Sequence, residues 1–266
     1  MRRWALAMGV VAAACGMAAP KAAPQPHIAA TQAPDKIDRL VAAYPEQLAS
    51  HNATTLVWRD GTRMPISDGV ASKTPDQIVQ TPDIDDIFAW DYPAGAPATP
   101  PADNVDPGRA RPLAFFQKMY GDCHADEVKP HMARVAWIGG ESVEFTTING
   151  ADRALTAVAR DLEALGPRFT AYLTPSAGTY NCRDIAGTDL RSMHAFGAAI
   201  DINTAHSDYW RWAGGDRGHA APYRNRIPME IVAVFERHGF IWGGRWSHYD
   251  TMHFEYRPEL LPAPAR

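Results

Sequence analysis

The chain is poor in cysteine. It has three in 266 residues, Cys15, Cys123 and Cys182, and no two of them form a C-x-x-C pair. That spacing excludes a cysteine metal set. Positive charge is not in excess either. The formal net charge is −4 and no basic cluster interrupts the sequence, which argues against a nucleic-acid partner. No sustained hydrophobic run follows the first twenty residues, so nothing there has the length of a membrane span. There is no glycine-rich nucleotide loop and no internal repeat. Ser192 has no G-x-S-x-G around it and so does not read as a serine nucleophile. What the chain does have is apolar content: 46% of its residues are hydrophobic, enough for one sizeable core.

The first residues read as an export signal. Arg2 and Arg3 precede an apolar, small-residue stretch from Ala5 to Ala19, about the length of a signal-peptide core and too short to span a bilayer. Two cleavage modes compete. Ala-x-Ala sites near Met17 to Ala23 suit ordinary signal peptidase, while Ala12-Ala-Ala-Cys15-Gly is a weak lipobox that would put a lipid anchor on Cys15. The balance favours ordinary secretion to the periplasm or cell envelope. In an oxidising compartment Cys123 and Cys182 then read as one disulfide, the alternative being two free buried thiols.

Residues 1–19 are thus the signal peptide and 20–35, rich in Ala, Pro and Gln, a flexible tether. Residues 36–93 form an N-terminal appendage. It begins with a short helix from Asp35 and contains a hairpin around Asp60-Gly61, where Asp-Gly supplies the turn. The Pro/Ala/Asp-rich stretch 94–107 is the linker candidate. From 108 to 258 the pattern alternates helix and strand, followed by a tail at 259–266. Helices are expected over Pro112–Tyr120, Asp152–Leu165 and Pro228–His238, each stopped by glycine. Strands are expected over 143–148, Phe169–Leu173, 198–203, Phe240–Trp242 and Met252–Tyr256. The fold class is α+β: a small, mainly antiparallel sheet with helices packed to one side.

Two stretches carry the chemistry. The first is Ser192-Met-His194-Ala-Phe-Gly197-Ala-Ala-Ile-Asp201-Ile-Asn203, and the second is Trp246-Ser-His-Tyr-Asp250-Thr-Met-His253-Phe-Glu255-Tyr. On a continuous helix His194 and Asp201 would be roughly 10 Å apart along the axis. On a continuous strand they would be about 23 Å apart and on opposite faces. Both can touch one ion only if the chain turns between them, and Gly197 is where it turns most easily. In the second stretch His253 and Glu255 share a strand face, and Asp250 sits in the turn before it. Two imidazoles and a carboxylate suit zinc with a fourth position open.

The patterns S-x-H-x-x-G-x-A-x-D-I and D-x-M-H-F-E, in that order, resemble the VanY-like D-alanyl-D-alanine carboxypeptidases. That zinc peptidase family includes L-alanyl-D-glutamate endopeptidases and shares its fold with the Hedgehog signalling domain. The resemblance covers roughly Phe169 to Tyr256. It implies that His194, Asp201 and His253 ligate Zn2+ and that Asp250 is the general base. It also implies that 108–258 is the catalytic domain and a peptidoglycan stem peptide the substrate, cut at a D-Ala-D-Ala or L-Ala-D-Glu bond. Arg183 is the candidate for the family's upstream arginine, which neutralises an oxyanion or a substrate carboxylate; the alternative is an ordinary ion pair. An alternative function is a cell-wall binding protein with a vestigial zinc site. A serine-type penicillin-binding peptidase is disfavoured, because S-x-x-K with a partner K-T-G is missing.

Other residues carry two readings each. Ser192 orders the turn or binds peptide. Trp246 and His248 line the cleft or pack. Glu255 holds an imidazole or forms an ion pair. Arg245 meets an anionic peptide or is a surface charge. His206, His219 and His238 read as solvated or structural.

Overall fold

A computed structural model describes residue 1 and residues 35–185, 188, 190–216 and 221–262. Residue 1 apart, the expected signal peptide, Cys15 and the tether up to residue 34 lie outside the described residues, as do His219 and the last four residues of the tail. The chain divides into a unit Met1–Ala33 and a unit Pro34–Arg266, and every element below belongs to the second.

That unit opens with helix α1 (Lys36–Ala43), whose first turn is capped by the Asp35 side chain. Strands β1 (Leu48–His51), β2 (Thr55–Trp58) and β3 (Arg63–Pro65) form an antiparallel sheet in that order. The β2–β3 turn is at Asp60-Gly61 as expected, with Gly61 at φ +84°. Helix α2 (Pro75–Gln80) has a capping box between Thr74 and Gln77. Helix α3 (Leu113–Tyr120) ends at Gly121. Strands β4 (Met132–Ala136) and β5 (Ser142–Thr146) pair antiparallel, and helix α4 (Ala151–Ala164) packs over them.

A four-residue helix, α5 (Thr170–Leu173), follows. The strand expected at Phe169–Leu173 is therefore a helical turn. Phe169 and Leu173 are four apart and both buried, a spacing that a helix face satisfies as well as an apolar strand would. Asn203 accounts for the turn's exposed carbonyls, since its amide donates to Ala171 and Thr174 at 2.8 and 2.7 Å.

The last sheet is β6 (Ala199–Asp201), β7 (Phe240–Trp242) and β8 (His253–Tyr256), in the order β6-β8-β7 and wholly antiparallel. Helix α6 (Met229–Arg237) precedes β7 and packs on α4. The fold is α+β, with the strands divided among three small antiparallel sheets rather than gathered into one. Leu155, Val158 and Leu162 of α4 meet Ile231 and Phe235 of α6 in one core, where Phe235 stacks on Phe254 of β8 at 3.8 Å.

A second core joins the N-terminal region to the site-bearing strands. Leu40 and Tyr44 of α1, Leu56 and Trp58 of β2, and Phe115 and Phe116 of α3 pack with Phe196, Ile241 and Trp246. Residues 94–107 run without helix or strand, pinned at several points. Glu236 accepts from the Gly95 backbone, Arg245 donates to the Pro97 carbonyl, and Trp246 donates to the Pro107 carbonyl at 2.7 Å. Asp106 accepts from His248 Nδ1 at 2.6 Å and from its backbone N–H at 3.0 Å. Cys123 and Cys182 are joined in a disulfide. Among the described residues no helix is long and apolar enough to cross a membrane.

Candidate metal centre

His194 sits in a tight helical turn, Met193–Phe196, whose entry is capped by the Ser192 hydroxyl accepting from His194 N–H. Gly197 closes that turn at φ +64°, and a Cβ there would lie 2.5 Å from the Met132 sulfur. Both facts favour glycine: the backbone is left-handed and the space is taken. The chain then enters β6, which carries Asp201. Antiparallel pairing sets Asp201 directly opposite His253 on β8. The ligand candidates thus meet through one turn and one strand register, which fixes them on ordered backbone.

Their donor atoms converge. His194 Nε2 lies 3.2 Å from both His253 Nδ1 and Asp201 Oδ1, and His253 Nδ1 is 3.0 Å from the same Asp201 oxygen. A tetrahedral zinc with bonds of about 2.0–2.2 Å spaces its donors roughly 3.3–3.6 Å apart. The three atoms fit such an ion with a small outward adjustment. Both imidazoles are oriented from behind. His194 Nδ1 is 2.6 Å from the Thr179 carbonyl, which can only accept, so Nδ1 carries the proton and Nε2 offers its lone pair. His253 Nε2 is 2.9 Å from Glu255 Oε2, which leaves Nδ1 free to face the other two donors.

The electrostatics favour a cation between these groups. Burial opposes ionisation of Asp201, yet the imidazoles of His194 and His253 hold its carboxyl far below the usual range. Burial would lower His253, but the hydrogen bonds it donates to Asp201 and Glu255 raise it to about 9 in the metal-free chain. Glu255, against its own burial, is held well below the carboxylate range by Arg111, His253 and Arg257. A metal ion here would replace the proton on His253. A second cluster, Cys123, His124 and Cys182, has its two sulfurs joined to each other, so they do not serve as thiolate ligands.

Asp250 lies in the turn before β8 and lines the same cleft of about 420 Å³ as the three donors. Its Oδ1 is buried without a hydrogen-bond partner among the described residues. Burial, and then the Asp201 carboxylate, push its carboxyl up to about 6. Arg183 is exposed at the cleft wall, where Nη1 donates to the Asp184 carbonyl at 3.4 Å. Trp246 and His248 also line the cleft. Arg245 takes neither of its expected roles, because it is buried and paired with Glu236 at 3.0 Å. His238 pairs with Asp161, and His206 lies beside Tyr172.

Sequence reading missed Arg109 and Arg111. Both line the cleft and lie near the Trp246 ring, at 5.5 and 5.7 Å. They come from just after the irregular stretch, more than 80 residues before His194, and nothing in their local pattern marks them.

Residues 186–256 match the family model described as D-alanyl-D-alanine carboxypeptidase. That span holds His194, Asp201, Asp250 and His253, and excludes Arg183, Arg109 and Arg111. Searches of curated proteins and of solved structures return no significant match. The donor geometry and the family match fall on the same stretch of chain: residues 186–256 are similar to the D-alanyl-D-alanine carboxypeptidase family, which supports a peptidase of the kind that acts on peptidoglycan.

Proposed function

We propose that the protein is an exported zinc metallopeptidase that hydrolyses an amide bond in peptidoglycan stem peptides, at a D-Ala-D-Ala or an L-Ala-D-Glu junction. The observation that carries this reading is the convergence of His194, Asp201 and His253 donors to 3.0–3.2 Å beside an unpartnered buried oxygen of Asp250. Export rests on the leader-like residues 1–19.

His194 through Nε2, His253 through Nδ1 and Asp201 through Oδ1 would hold the zinc. When bound, zinc supplies Lewis acidity, which polarises the scissile carbonyl and makes water a better nucleophile near neutral pH. Asp250 Oδ1 accepts the proton of the attacking water and passes it to the leaving amine nitrogen as the C–N bond breaks. A carboxyl near 6 suits both halves of that transfer, since it is mostly ionised at neutral pH yet basic enough to take a proton. The Arg109 and Arg183 guanidiniums face the cleft as partners for the negative charge of the substrate's carboxylates or of the developing oxyanion. Trp210 and Trp246 give the cleft apolar walls that exclude water.

The test is digestion of defined muropeptides, read by mass spectrometry of the products, with and without a zinc chelator. The expected result is release of one residue or cleavage of one stem-peptide bond, abolished by the chelator and restored by zinc. Retention of muropeptides without any cleavage would replace the peptidase with a cell-wall binding protein that keeps a vestigial site.

A further inference from the structure

Behind the three donors lies a largely buried set of charges that leads out of the family-matched segment. Glu255 has no exposed surface, and its two oxygens are differently occupied. Oε1 accepts from Arg257 Nη1 at 3.0 Å. Oε2 is shared: it faces His253 Nε2 at 2.9 Å and also takes Nη2 of Arg111. Arg257 continues the chain of contacts to Glu259 and to the Gly108 carbonyl, and Glu259 accepts from Tyr44 Oη at 2.7 Å. Two carboxylates and two guanidiniums balance one another, which is the condition for keeping such charges out of water.

The sharing of Oε2 gives Arg111 a specific part. His253 presents Nδ1 to His194 and Asp201 only while its other nitrogen, Nε2, has an acceptor in place. That acceptor is the oxygen Arg111 holds. Arg111 is itself nearly enclosed, 8% exposed, and lies near the Trp246 ring. Without it, Arg257 would be the remaining partner of the Glu255 carboxylate, on the side away from His253.

We infer that Arg111 is a positioning residue of the metal centre, acting through Glu255 on His253, and that the chain upstream of residue 186 is therefore needed for full metal affinity. This inference rests on the metal reading of the three donors. It is tested on the metal-free full chain by titrating zinc in competition with a chromophoric chelator, and by recording the visible absorption of the cobalt-substituted protein. Arg111→Met should weaken zinc by about 10–100-fold, the usual range for an outer partner of a ligating histidine. Arg111→Lys, which restores charge but not the guanidinium's shape, should fall between Arg111→Met and the parent and shift the cobalt bands. Near-UV circular dichroism of the metal-free variants checks that the core is intact. Parental affinity in Arg111→Met overturns the inference. If that variant does not fold, parental affinity together with parental cobalt bands in Arg111→Lys overturns it instead. A parent chain that binds no more zinc than His194→Ala defeats the metal reading itself, an outcome distinct from the other two.

Discussion

At Asp250 two physical effects act in the same direction. Removal from water and the nearby Asp201 charge both disfavour the carboxylate, and together they bring it to about 6. Among the described residues no hydrogen bond satisfies its Oδ1. A buried acceptor left open in a cleft is costly for stability, and such perturbed groups cluster at functional sites, which supports the proposed base role of Asp250. Asp250→Asn should therefore keep its metal, by elemental analysis, while turnover falls by about 10²–10⁴-fold, the usual contribution of a general acid–base group. Turnover at the parental rate in Asp250→Asn would remove Asp250 from that role.

At the level of elements, the site depends on how short segments are turned and tied. Gly197 ends the His194 turn in a left-handed conformation with the Met132 side chain close by. Gly197→Ala should cost about 1–3 kcal/mol in urea unfolding, from the strained backbone and the displaced methionine. The irregular stretch 94–107 is tied by Asp106, whose carboxylate takes both the ring and the backbone of His248. Burial works against that charge, but His248 and then Arg109 hold the Asp106 carboxyl below its ordinary value. A group depressed on folding contributes stability above its unfolded pKa, about 4, and loses it as pH falls through the folded value. Unfolding free energy of the metal-free chain should thus decline from about pH 4 downwards. Asp106→Asn should lower stability by about 1–3 kcal/mol at pH 7 and flatten that acid decline. Equal slopes in variant and parent, from urea curves at pH 7 and pH 3, would show that the acid loss originates elsewhere.

Across the whole unit, the long-range ties are covalent, ionic and apolar. The Cys123–Cys182 disulfide spans 59 residues and anchors the segment that carries Arg183 beside the end of α3. Closing a loop of that length restricts the unfolded chain, so Cys123→Ser with Cys182→Ser should destabilise by about 2–4 kcal/mol in denaturant titration. Zinc content should be unchanged, because His194, Asp201 and His253 are set by the β6–β8 register rather than by the bridge. Loss of zinc in the double variant would instead tie the metal centre to that loop. The N-terminal region shares a core with Phe196, which lies on the His194 turn, and with Trp246, whose ring is 5.5 Å from His253. It acts as structural support for the site as well as a neighbour of it.

Local sequence was enough to bring out the three candidate donors, the turn at Gly197, the base candidate and most helices. Each of these is written into a run of a dozen residues whose spacing limits what the backbone can do. Phe169–Leu173 reads as a strand at that level and folds as a helical turn, because five apolar-rich residues suit one helical turn or one short strand equally well. Nothing local signalled Arg111 under Glu255, Asp106 against His248, or Arg245 buried on Glu236. Arg111–Glu255 and Asp106–His248 join residues more than 140 positions apart. Arg245 and Glu236 are close in sequence, but the Pro97 carbonyl and the surrounding core decide that the guanidinium is buried. Buried charges find their partners only after the chain has collapsed, since it is exclusion from water that makes the pairing obligatory.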